Sequence, residues 1–109
     1  MYRGTTPTNT INVDRDLRDM TVFVTYAQGN ADPNTWTVIF EKTNDDIEIQ
    51  ENKLLIPLTQ ADTLKLSARK RVVFVQIRAI DSEGVAIGSN IMTTTVDDVL
   101  KDGEIAYAT

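Results

Sequence analysis

RVVFVQIRAIDSEGVAIGSNIMTTTV, running from Arg71 to Val96, decides the fold class of this chain. Val73, Val75, Ile77 and Ala79 fall on one side of an extended backbone without polar interruption, while Gln76 and Arg78 punctuate the other. Alternation with a period of two is the signature of a half-buried strand. Asp81-Ser-Glu-Gly84 then carries Asp at the first and Gly at the last position of a type I turn. There a carboxylate can accept from nearby backbone amides and glycine tolerates a left-handed backbone. The stretch therefore reads as two long antiparallel strands joined by a tight turn.

Working outward, the same alternation recurs in short segments about ten residues apart, the spacing of a sandwich or barrel. Ile11 and Val13 mark a first strand. Met20, Val22, Val24 and Tyr26 mark the buried side of a second, and Trp36, Val38 and Phe40 that of a third. Ile47 and Ile49 point inward from a fourth strand at 46–50, and Leu54, Ile56 and Leu58 from a fifth. Pro57 lacks an amide donor, which places the fifth strand at a sheet edge or turns that position out of the ladder. Thr59-Gln-Ala-Asp62 has the form of a capping box and predicts one helical turn before the sixth strand. Asp97 and Gly103 bracket a second candidate turn. The expectation is an all-β, immunoglobulin-like two-sheet antiparallel sandwich of about seven strands, with one short helical turn between strands five and six. It forms a single domain over 1–109, with an N-terminal arm at 1–8 and a flexible tail at 104–109.

Composition limits the chemistry. The 109 residues include no histidine and no cysteine, so Ser-His-Asp and Cys-His mechanisms and His- or Cys-ligated zinc are excluded. Asp45-Asp46-Glu48 and Asp97-Asp98 are the remaining acidic clusters. Neighbouring acids on a strand point to opposite faces, so Asp45 and Asp46 do not share a site. The Asp98–Gly103 run fails as a calcium loop, because Leu100 stands where the second oxygen ligand belongs and Thr109 where a bidentate Glu belongs. No catalytic, cofactor-binding or metal-ligating residue is therefore expected. A net charge of −5 argues against nucleic acid and anionic lipid as partners. Arg69-Lys70-Arg71 is the lone basic run and reads as an exposed corner before a strand. No stretch approaches the length of a signal or a membrane span, so the chain is expected to be made and kept soluble in a cytoplasm.

Two surfaces invite a binding function. Ile39, Val72, Phe74 and Ile80 are apolar yet out of phase with the core sets. On neighbouring third and sixth strands they make a patch, rimmed by Glu41, Gln76 and Arg78, with the make-up of an assembly interface. Trp36 with Asn30 and Asp32 of the 28–34 loop offers a sugar-stacking platform instead, set against the core position that Trp36 takes in phase with Val38 and Phe40.

YRGTTP at 2–7, LTQADTL at 58–64, SNIMTTTV at 89–96 and LKDGEI at 100–105 resemble segments of small proteins encoded in phages and prophages of Gram-positive bacteria. Strands ending in a Ser-Asn hairpin and an Asp-Gly turn are similar to the N-terminal β-sandwich of siphophage upper baseplate proteins. The resemblance covers most of the chain, which lacks the long helical and receptor-connecting parts of a full upper baseplate protein. It implies a non-enzymatic virion component, of baseplate or tail type, whose partners are other virion or tail proteins or further copies of itself. It brings no catalytic residues and no cofactor.

Overall fold

The computed structural model describes residues 1–108, and Thr109, the last residue of the expected flexible tail, lies outside them. Among the described residues eight strands form two antiparallel sheets. The smaller is ordered β1 (Thr8–Asn12), β5 (Lys53–Pro57), β4 (Glu48–Ile49). The larger is ordered β3 (Thr37–Thr43), β2 (Thr21–Gln28), β6 (Val72–Ile80), with β7 (Ala86–Gly88) and β8 (Met92–Thr95) both on the far edge of β6. In immunoglobulin lettering these sheets are B-E-D and C′-C-F-G, the order expected of a Greek-key sandwich. The helical turn α1 (Gln60–Leu64) carries the chain from β5 to β6. Its capping box forms as the sequence predicts: Asp62 N–H donates to Thr59 Oγ1 at 3.1 Å and Thr59 N–H to Asp62 Oδ2 at 2.8 Å.

The alternating sets of β2, β5 and β6 bury as expected. Val22, Val24, Tyr26, Leu54, Ile56, Val73, Val75, Ile77 and Ala79 meet between the sheets, with Leu17, Met20, Leu58, Leu66 and Val96 closing the ends. The sheets are also joined by polar contacts. Asn9 Nδ2 on β1 donates to Tyr26 Oη on β2 at 2.8 Å, and Lys42 Nζ on β3 lies 2.6 Å from Asp62 Oδ2 on α1. Burial pushes the Tyr26 phenol up. Burial acts in the same direction on Asp62, but the Lys42 ammonium and the Thr59 hydrogen bonds outweigh it and hold this carboxyl below the usual range.

The 81–84 turn closes as read. Asp81 Oδ1 accepts from the amides of Glu83 and Val85, both at 2.9 Å, and Gly84 takes φ +85°. Its outgoing strand is interrupted once. Gly88 opposes Arg78 and Met92 opposes Val75, so four steps on one strand match three on the other. The extra residue is a β-bulge at Ser89, not the Ser-Asn hairpin expected from the sequence. Ser89 Oγ accepts from Ile77 N–H at 3.0 Å, and Ile77 O accepts from Ser89 N–H at 2.9 Å.

The alternatives left open for Pro57 are resolved, and the second candidate turn is corrected. β5 is the central strand of its sheet, and Pro57 is accommodated as its last, exposed residue, beyond the reach of the two-residue β4. Residues 97–103 form no helical turn, because Asp97 is engaged elsewhere. Its amide and carbonyl pair with Met1 and Arg3 of the arm, and its carboxylate pairs with Arg71 at 3.0 Å. The arm is correspondingly fastened: Arg3 Nε and Nη2 donate to the carbonyls of Leu66 and Leu64 at 2.8 and 3.1 Å.

Candidate functional site

The outer face of the larger sheet is the candidate site, and a single inserted residue determines what stands on it. Tyr26 pairs with Phe40 but Ala27 pairs with Val38, leaving Ile39 as a bulge in β3. Phe40 keeps its inward position, buried and stacked on Tyr26 with ring centroids 4.6 Å apart. Ahead of the bulge the two faces exchange. Val38 points outward and is 60% exposed, and Trp36 leaves the core phase with it, whereas Ile39 packs against the core. The sequence reading is thus reversed at these positions: Ile39 does not belong to the surface patch, and Trp36 and Val38 do.

Nor are the third and sixth strands neighbours, since β2 lies between them. Trp36 nevertheless reaches β6. Its indole stacks on Phe74 with ring centroids 4.0 Å apart and planes at 23°. Ala27 opposite Phe74, and Gly29 just beyond the end of β2, are small enough to let the ring pass. A Cβ on Gly29 would lie 2.5 Å from Trp36 Cδ1. The indole N–H donates to Asn30 O at 2.8 Å, pinning the loop that the ring crosses.

The remaining predicted patch residues sit where the alternation places them. Phe74 is half-buried, and Val72 and Ile80 are 41% and 38% exposed. Register carries polar groups through the middle of the face: Glu41, Thr25 and Gln76 in one row, then Thr43, Phe23 and Arg78 in the next. Glu41 Oε2 accepts from Thr25 Oγ1 at 3.0 Å. Glu41 and Arg78 flank a shallow hollow of about 280 Å³ whose apolar lining is Phe23, Ile80 and Ala86. Neither makes an ion pair among the described residues. The face therefore offers an aromatic cluster at one end, a hollow at the other and one charge of each sign between them.

Of the sugar-platform groups, the Trp36 ring is covered on one side by Phe74, Asp32 Oδ1 accepts from Asn34 N–H at 3.0 Å, and Asn30 is held through its backbone, its carbonyl accepting from the indole N–H and its backbone N–H donating to Thr35 Oγ1. The acidic clusters are likewise committed to local structure: Asp46 Oδ2 accepts from Thr43 N–H at 3.0 Å, and Asp98 pairs with Arg3 at 3.0 Å. That contact and the Val99 N–H hold the Asp98 carboxyl below its usual range.

One organising residue escaped sequence reading. Gln28 is 1% exposed; its Nε2 donates to the carbonyls of Ser67 and Lys70 at 2.9 and 2.8 Å, and its Oε1 accepts from Ser67 N–H at 2.8 Å. It ties the end of β2, just before Gly29, to the loop that feeds β6. The available signal was its phase with Val22, Val24 and Tyr26.

No protein-family model, curated protein or solved structure matches this chain. No helix among the described residues is long and apolar enough to cross a membrane.

Proposed function

We propose that this chain is a non-enzymatic structural or accessory component of a phage particle, of baseplate or tail type, that assembles through the outer face of its larger sheet. It would be made in the bacterial cytoplasm and carried in the virion. The observation that carries the assembly role is the Trp36–Phe74 stack beside exposed Val38 and Val72, on a sheet face that no other element covers among the described residues. Aromatic anchors within an apolar field, rimmed by polar groups, are the usual energetic centre of an interface. With strands about 4.8 Å apart and a nine-residue β6, the face offers about 600 Å² per partner, near the low end for a specific complex. The placement in a particle rests on the family resemblance of the YRGTTP, LTQADTL, SNIMTTTV and LKDGEI segments.

Light scattering over a concentration series tests the assembly role. The expected result is a defined oligomer that Phe74→Lys converts to monomer while the circular dichroism spectrum of the fold is retained. A wild type that stays monomeric at every concentration would remove self-assembly and leave a different virion protein as the partner.

A further inference from the structure

The outer sheet face is electrically unlike the rest of this chain. With 16 acidic and 11 basic residues the protein carries a net charge of −5, so two copies repel one another through most of their surfaces. On the outer face that excess is absent. Among the described residues, Glu41 on β3 and Arg78 on β6 are the charged side chains that the five strands of the larger sheet direct to this side, and both are exposed. A neutral face with an apolar cluster is where a second copy of an acidic protein meets least repulsion.

The two charges are also placed for reciprocal pairing. Glu41 shares a row with Thr25 and Gln76, and Arg78 shares the next with Phe23 and Thr43. Two strand spacings of about 4.8 Å and one step of about 7 Å along the strands set them about 12 Å apart, on opposite sides of β2. Neither has an ion-pair partner among the described residues. When two copies of one face are apposed, a twofold axis relating them lies in the plane between them. An axis perpendicular to the Glu41–Arg78 line, through its midpoint, sets each Glu41 against the Arg78 of the other copy. Phe23 and Phe74 each lie within about 2 Å of that same axis. Each ring therefore meets its own counterpart, and the Trp36 indole stacked on Phe74 is carried into the contact. The operation that pairs the charges also sets apolar against apolar.

We propose that the outer face takes a second copy of this chain, in a twofold dimer with two reciprocal Glu41–Arg78 ion pairs flanking a seam of Phe23, Phe74 and Trp36. This dimer presupposes the outer-face assembly proposed above and gives it a partner and a geometry. The contact is isologous and closed, so it stops at two copies. Burying both faces removes about 1,200 Å² from water, enough for a specific interface. The seam supplies the affinity, and the charge pairs fix the register and reject like-charged alternatives. Phe74→Lys sets two ammonium groups against each other beside the axis, which is why that variant is expected to be monomeric.

Charge reversal tests the twofold directly. Full-length Glu41→Arg and Arg78→Glu proteins are followed alone and as an equimolar mixture by sedimentation velocity and by native mass spectrometry, which tells the two chains apart by mass. Each reversal alone creates two like-charge pairs in a twofold dimer, and the mixture restores two opposite-charge pairs. The expected result is a dimer Kd raised by about ten-fold or more for each variant alone, and a 1:1 mixed dimer with a Kd near that of wild type. Reversing one charge changes the net charge of −5 by two units, so both variants stay negative and overall attraction cannot assemble the mixture. The mixed dimer also shows that both variants fold. A wild-type dimer that Phe74→Lys disperses but both reversals leave intact overturns the twofold pairing and leaves outer-face assembly standing. Reversals that disperse the dimer without rescue on mixing do the same. A wild type that is monomeric at every concentration overturns the dimer and leaves a different protein as the partner of the face. A dimer that Phe74→Lys leaves intact removes the outer face as the assembly surface, and the proposed pairing with it.

Discussion

Gly29→Ala is expected to destabilise the fold, and the sign of the effect is the informative part. Gly29 does not occupy the left-handed region, since the positive φ angles among glycines are at Gly4, Gly84 and Gly103. Replacing such a glycine by alanine ordinarily stabilises a protein by about 0.4–1 kcal/mol, through the entropy of the unfolded chain. Here the added methyl would meet Trp36 Cδ1 at 2.5 Å and Thr35 O and Trp36 Cα at 2.8 Å. Two of these atoms are backbone, so a side-chain rotation alone cannot relieve the contact. Overpacking of this kind costs about 1–3 kcal/mol, and displacing the indole from Phe74 forfeits about 0.5–1.5 kcal/mol of aromatic pairing. The net expectation is a loss of about 2 kcal/mol, or a fall in Tm of roughly 10 °C for a domain of this size. Urea unfolding followed by tryptophan emission measures it, because Trp36 is the sole tryptophan. A Gly29→Ala protein as stable as wild type, or more so, with unchanged Trp36 emission, would refute the packing of the indole across the end of β2.

Two further outcomes follow from the buried polar contacts. The Lys42–Asp62 side chains are 13% and 9% exposed, so Asp62→Asn leaves an ammonium without its counter-charge and should cost about 3 kcal/mol at neutral pH. The Asp62 carboxyl is held below its ordinary value. Its contribution is therefore complete above the unfolded value of about 4 and is lost as pH falls through the lowered folded value, so acid titration of stability should show a shallower acid limb in Asp62→Asn. Gln28→Leu removes three hydrogen bonds and strands the Ser67 amide and the Ser67 and Lys70 carbonyls. A loss of about 3 kcal/mol in denaturant unfolding is expected, with accelerated amide exchange at Ser67; a loss below 1 kcal/mol would contradict its tethering role.

Much of this architecture is legible in the sequence where alternation has one solution. Val73 to Ala79 admit one inward phase because Gln76 and Arg78 occupy the other, and Thr59 and Asp62 announce their turn through reciprocal bonds between residues three apart. Trp36 to Phe40 is different. Four of its five residues are apolar, so neither phase is excluded by polarity, and the bulge at Ile39 is set by how β3 packs on β2. That displacement moved Trp36 and Val38 onto the candidate face and Ile39 off it. Polar organisers are equally hidden: Gln28 resembles the start of a turn, and nothing local to Lys42 announces Asp62 twenty residues away. The site was therefore legible in its β6 half, through Val72, Phe74 and Ile80, and not in its β3 half, where tertiary register decides.

Quenching of Trp36 emission by acrylamide, measured across a protein concentration series alongside mass, tests most directly whether the outer sheet face is the assembly surface. The half-exposed indole should lose quencher access and its emission should shift to the blue as the oligomer forms, and Phe74→Lys should abolish both changes. Oligomers whose Trp36 remains as accessible as in the monomer would place assembly on another surface and contradict the central claim.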